Sequence, residues 1–131
     1  MPENNFRLLN KRFPAVAQKV GCVPLPQGWH AVPARDGGLT ARTRRGSGQF
    51  HLHSAYSPAE EARQFVSQFG FPRGSVAVVI GFGMGHHLRE LCLRSPEEVK
   101  LIAVFEARPD ILRLALENAD LGSVLADRRL R

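Results

Sequence analysis

The sequence predicts an α/β fold: a parallel βαβ half, preceded by an N-terminal helical segment and a β-hairpin. Two buried-strand runs, Val76 to Ile80 and Leu101 to Phe105, are each followed by a helical pattern, and residues 39 to 53 alternate with period two. The order strand, helix, strand, helix implies a right-handed crossover between parallel strands. The expected organisation is residues 1–56 for the helical segment and hairpin and residues 57–131 for the βαβ unit, together one compact domain. At 131 residues, the chain can bury a single core but is short for a complete catalytic α/β enzyme.

The early elements follow from spacing and punctuation. Phe6, Leu9, Phe13, Val16 and Val20 fall three and four apart, the stripe of an amphipathic helix that Pro14 must interrupt. A helix to Arg12 and a second that starts on Pro14 and stops at Gly21 satisfy both signals. Residues 22 to 38, rich in proline and glycine, read as an irregular connection with Trp29 as a packing anchor. Leu39, Ala41 and Thr43, a Gly46-Ser47-Gly48 turn, then Phe50 and Leu52 make the hairpin. Ser57-Pro58-Ala59-Glu60 supplies a capping hydroxyl, a proline at the first helical position and an acid in the first turn. Ala62, Phe65, Val66 and Phe69 share one face of that helix, and Gly70 is suited to end it in the left-handed conformation.

In the second half, Val-Ala-Val-Val-Ile at 76–80 is β-branched and continuous, as in a strand covered on both faces. A helix from about Gly85 to Arg94 should pack back through Leu88, Leu91 and Cys92; Pro109 to Asn118 is another, with Ile111, Leu112 and Ala115 inward. Between the first strand and helix lies Gly81-Phe82-Gly83-Met84-Gly85-His86. Glycine there permits tight turning and lets a ligand approach the backbone amides. Glu106 follows Gly83 by 23 residues, close to the spacing that brings an acid at the end of the second strand onto ribose hydroxyls. The predicted ligand site is therefore Gly81, Phe82, Gly83, Met84, Gly85, His86 and Glu106, for a nucleotide-type molecule in a Rossmann-like half. The bland alternative is a packing turn, with Glu106 making a cap or salt bridge.

A dinucleotide fingerprint would need a third glycine where His86 stands, which disfavours a bound NAD pyrophosphate. The Gly-x-Gly-x-Gly spacing instead resembles the first motif of class I S-adenosylmethionine-dependent methyltransferases. That likeness implies an S-adenosylmethionine-like ligand, with Gly81, Gly83 and Gly85 along its methionine end and Glu106 on its ribose.

Composition and charge bound the other classes. No apolar run approaches the roughly 20 residues that span a bilayer, no secretory pattern opens the chain, and Cys22 and Cys92 form no close pair; cytoplasmic residence with free thiols is expected. Residues 1–56 carry eight Lys/Arg against Glu3 and Asp36, whereas residues 57–131 carry ten of each sign. Arg42, Arg44 and Arg45 suit either phosphate gripping, in a basic interaction or nucleic-acid-binding module, or a solvated hairpin tip. Without an aromatic residue interleaved among them, nucleic acid is the less expected partner. His51, His53, His86 and His87 offer a metal cluster, but no carboxylate or cysteine sits at ligand spacing, so no metal is expected. Ser54, Tyr56 and Ser57 lack triad spacing, and no nucleophilic chemistry is expected.

Three segments together resemble a known family. They are His53-Ser54-Ala55-Tyr56-Ser57-Pro58-Ala59-Glu60-Glu61-Ala62, Val78-Val79-Ile80-Gly81-Phe82-Gly83-Met84-Gly85-His86-His87-Leu88, and Phe105-Glu106-Ala107-Arg108-Pro109. With Leu8-Leu9-Asn10-Lys11-Arg12-Phe13-Pro14, they are similar to the N-terminal region of the motility accessory factor proteins, bacterial glycosyltransferases associated with flagellin glycosylation. The resemblance implies a Rossmann-like domain ahead of a sugar-transferring one that carries a glycine-proline-serine motif. No such motif occurs here. It therefore implies an auxiliary, non-catalytic domain, flagellin as a partner through the parent protein, and truncation, with residues 127 to 131 as the approach to a third strand that never arrives. A two-stranded parallel sheet would leave an edge for a partner chain or a second copy to cover.

Overall fold

A computed structural model describes residues 2–131. Two helices open it, α1 (Pro2–Arg12) and α2 (Pro14–Cys22), and the break falls at Phe13, whose non-helical backbone lets Pro14 begin the second helix. Three antiparallel strands follow in the order β1 (Trp29–Pro33), β2 (Leu39–Arg45), β3 (Gly48–His51). Helix α3 (Pro58–Ser67) leads to the parallel pair β4 (Ser75–Ile80) and β5 (Val99–Phe105), joined through α4 (His86–Cys92). Helices α5 (Pro109–Asn118) and α6 (Gly122–Ala126) complete the described chain. The result is the mixed α/β, partly Rossmann-like architecture that the sequence predicts.

Five details depart from the sequence reading. Residues 29–33 form a strand rather than an irregular connection: Ala31 pairs with Ala41, so the hydrogen bonds of β2 supply the order that the local pattern lacks. Pro33 sits at the strand's end, where its missing N–H costs little. Gly70 is not left-handed; α3 ends instead at Gln68, which keeps right-handed geometry and donates to the Phe65 carbonyl, while Phe69 donates to that of Val66. Of the four apolar residues placed on its inner face, Ala62 and Val66 are buried while Phe65 and Phe69 are half exposed. Strand β4 is covered on one side only, leaving Val76, Val78 and Ile80 exposed. Finally, α6 was not foreseen, and the segment after it already joins the sheet. The Arg131 amide donates to the Ile102 carbonyl at 2.8 Å, and Ile102 and Val104 donate to Arg129 and Arg131 carbonyls at 3.0 Å, so Leu130 bridges in parallel to Ile102.

One cluster of buried side chains unites both halves, from Leu9, Val20 and Ala41 to Val66, Leu88, Ile102, Leu116 and Val124. Long polar side chains pin the helical layer to it. Arg12 donates to the carbonyls of Leu125 and Asp127 at 2.6 Å and of Leu130 at 3.1 Å. Arg129, paired with Asp127 at 2.7 Å, donates to the carbonyls of Cys92, Arg94 and Val99. That guanidinium holds the Asp127 carboxyl down to about 2, while burial pushes the Cys92 thiol up to about 12, so it stays protonated.

Asn5 is the most exacting of these groups. Fully buried, its amide donates to Leu116 and Ala119 carbonyls at 2.9 and 2.7 Å, and its oxygen accepts from the Leu121 amide at 3.3 Å. It thereby satisfies the end of α5 and the start of α6 together. Asn5→Ala removes all three bonds and leaves buried backbone groups unpaired, so it should cost about 3 kcal/mol and lower the thermal midpoint by on the order of 10 °C. Differential scanning calorimetry on the two proteins checks this.

Candidate functional site

The glycine turn lies where β4 hands over to α4. All three glycines have positive φ, +91° at Gly81, +56° at Gly83 and +86° at Gly85, a region that side chains avoid. Their surroundings differ. A Cβ on Gly83 would lie 2.5 Å from His53 Nε2, and one on Gly85 would lie 2.5 Å from a Leu121 methyl carbon, whereas Gly81 faces open space. Two of the three glycines thus make room for the protein's own side chains.

The turn's amides are also engaged. Phe82 donates to Glu106 Oε2 at 2.7 Å, Met84 donates to His53 Nε2 at 2.9 Å, and Gly85 donates to the Phe82 carbonyl at 3.1 Å. The second oxygen of Glu106 accepts the Arg108 amide at 2.8 Å. Glu106 therefore clamps the turn to the start of α5, as in the capping alternative. Since a carboxylate offers about four acceptor positions, capacity remains for a ligand hydroxyl. Phe82 and Met84 point into the core and are nearly inaccessible, so what they present to a ligand is backbone. His86 is buried as well, with Nε2 2.6 Å from the Leu39 carbonyl; a carbonyl only accepts, so that nitrogen carries the proton.

His53 is the residue that sequence reasoning missed as a site element. Its Nε2 accepts from Met84, which fixes the neutral tautomer protonated on Nδ1. Thr40 secures it from the other side: the hydroxyl donates to the His53 carbonyl and accepts the His53 amide, at 3.0 and 3.1 Å. Its ring meets those of His86 and His87 at 5.1 and 5.7 Å between centroids. Burial foremost, and then these two imidazoles, push His53 down to about 4. Three of the four histidines considered as a cluster thus meet, and His51 stays outside, exposed. Among the described residues no group of three or more His, Cys, Asp or Glu side chains is arranged to hold a metal ion. The available signal was the resemblance segment that begins at His53, which the hairpin pattern obscured.

The other residues singled out fall elsewhere. Strand register puts His30, Arg42 and His51 in one row across the three-stranded sheet, with Arg44 on the same face and Arg45 on the opposite one. Cys22 is exposed and Cys92 half-buried, both free. A cleft of about 540 Å³ opens at the C-terminal ends of β4 and β5, with Ile80, Phe105 and Glu106 along one side and residues of α1 and α2 along the other. No helix among the described residues is long and apolar enough to cross a membrane.

A strand, a glycine turn, a helix, a parallel strand and a terminal acid make this the first half of a Rossmann-like α/β unit, with its cleft on the side where such sheets take ligands. A solved structure shares the fold: that of the MAf glycosyltransferase from Magnetospirillum magneticum AMB-1, similar at a TM-score of 0.64 and 15% identity. The match covers 98% of this chain and 26% of that one, so the chain spans about a quarter of that protein's length. No protein-family model and no curated protein matches the chain.

Two outcomes follow. Gly83→Ala should destabilise well beyond Gly81→Ala, by about 3 against about 1 kcal/mol, because only the first adds an overlap with His53 to the left-handed strain; urea denaturation distinguishes them. The pH response has a definite sign. An unfolded imidazole titrates near 6.5 and folded His53 near 4, so between these values the unfolded chain holds a proton that the folded chain lacks. The stability from His53 is whole above pH 6.5 and falls as pH drops toward 4, by at most about 3 kcal/mol. His53→Gln, which keeps an acceptor for the Met84 amide, should show less loss over that window in denaturation measured at each pH.

Proposed function

We propose that this chain is an accessory Rossmann-like unit of a motility accessory factor-type glycosyltransferase, contributing to flagellin glycosylation without carrying the sugar-transfer chemistry. The observation that carries the reading is the fold match over 98% of the chain to a quarter of the MAf glycosyltransferase. The glycine turn supports the auxiliary role, because two of its glycines accommodate His53 and Leu121 and two of its amides serve His53 and Glu106. A joint of this kind holds strands and helices in place for a neighbouring domain. The thiol that ends its helix α4, Cys92, is held protonated by burial.

A second reading keeps a nucleotide-type ligand at the ends of β4 and β5, in a cytoplasmic protein. It is favoured by the cleft there and by the remaining acceptor capacity of Glu106, which suits ribose hydroxyls, beside Gly81, whose neighbourhood is open. Flagellin is then a partner of the parent protein rather than of this cleft.

The accessory role is tested in the source cell by deleting the coding segment for residues 1–131 and weighing flagellin by mass spectrometry. Loss of the glycan mass is expected, with no sugar transfer by the isolated chain in vitro. Flagellin of unchanged mass contradicts the proposal.

A further inference from the structure

The glycine turn has little to offer an anion, since Phe82, Met84 and Gly85 already direct their amides at protein acceptors. The cleft at the strand ends has a different character. Its walls are apolar, and Val16, Ile80 and Phe105 are 41, 86 and 63% exposed, an arrangement that leaves hydrophobic surface in water until something flat covers it. Three charged side chains line the same cleft: Glu106, Lys19 and Arg131. Neither cation belongs to an ion pair among the described residues. Arg131 directs one guanidinium nitrogen, Nη1, at the Arg128 and Leu130 carbonyls and has further donors to offer. Its backbone is held beside β5 by bonds to Ile102 and Val104, which fixes where the side chain starts.

We propose that this cleft takes a nucleoside phosphate, with the base against Ile80 and Phe105, the ribose hydroxyls on Glu106 and the phosphate between Lys19 and Arg131. The assignment deepens the nucleotide reading above and rests on it, while moving the phosphate from the glycine turn to the α2 side of the sheet. Volume and chemistry agree: about 540 Å³ lies within the usual span of small-molecule sites, where apolar walls surround a few converging polar groups. The carboxylate suits hydroxyls and repels a phosphate, so the two charge types sort the ligand's ends. An arginine and a lysine without carboxylate partners supply the charge-assisted bonds that a phosphate needs.

Isothermal titration of the 131-residue chain tests this with AMP and CMP, their nucleosides, inorganic phosphate and S-adenosylhomocysteine. The monophosphates should bind at least tenfold more tightly than the nucleosides, and the advantage should shrink with added salt. Lys19→Met and Arg131→Met, which keep the apolar stems, should each remove most of that advantage with nucleoside affinity and thermal midpoint unchanged. Phe105→Ala should weaken nucleosides and monophosphates alike. Equal binding of nucleosides and monophosphates would overturn the phosphate assignment and leave the nucleotide reading standing. Binding of phosphate alone as tightly as AMP would overturn the base contact, and S-adenosylhomocysteine binding without either monophosphate would place the cleft with methyl-donor sites. Silence from every ligand on a folded sample would overturn this proposal and the nucleotide reading together, while the accessory role stands or falls on flagellin's mass.

Discussion

The hydrogen bond from the Met84 amide to His53 Nε2 is the constraint on which the rest of the arrangement depends. It requires a neutral imidazole, a bare Gly83 beneath the ring, and a buried position between α3, α4 and the three-stranded sheet. Each requirement selects a residue. A side chain at 83 would collide with the ring, a charged histidine would have no acceptor, and Thr40 holds the backbone that presents the imidazole. On the other side of the turn Glu106 takes the Phe82 amide, so the loop is gripped from the hairpin and from the end of β5 at once. A glycine-rich turn in this chain is consequently a joint between two sheets.

The same economy governs the helical layer. Backbone carbonyls near the end of the described chain are met by Arg12 from α1, and the Asn5 side chain closes α5 against α6. Residues more than 100 positions apart therefore share hydrogen bonds, and the N-terminal helices cannot be treated as an appendage to the βαβ unit. Where polar anchoring stops, apolar surface begins: β4 presents Val76, Val78 and Ile80 beside Phe65 and Phe69, and Phe105 lies open at the cleft. Such exposure is larger than isolated surface residues explain.

Elements whose signals are local were legible in the sequence. Pro14 and Pro109 open helices where the spacing puts them, Ser57 accepts the Glu60 amide as a capping hydroxyl, and the turn at Gly46 divides the hairpin. What escaped was set by partners distant in the chain. Strand β1 exists because β2 pairs with it, Phe65 and Phe69 stay exposed although they continue the apolar stripe of α3, and residues 129 to 131 join the sheet through β5. The site divides in the same way. The glycines and Glu106 announced themselves by motif and spacing, but that Gly83 and Gly85 make room for His53 and Leu121 is a fact of packing, which no period in the sequence encodes.

Hydrogen exchange followed residue by residue in NMR tests the clamped turn most directly, because it reads the amides themselves. The account predicts that Phe82 and Met84, held by Glu106 and His53, exchange orders of magnitude more slowly than an unstructured amide, and that Met84 loses its protection as His53 is protonated below about pH 4. Exchange of both amides at the unprotected rate near neutral pH would contradict it. The turn would then be an open loop awaiting a ligand, and its glycines would have to be explained by that ligand.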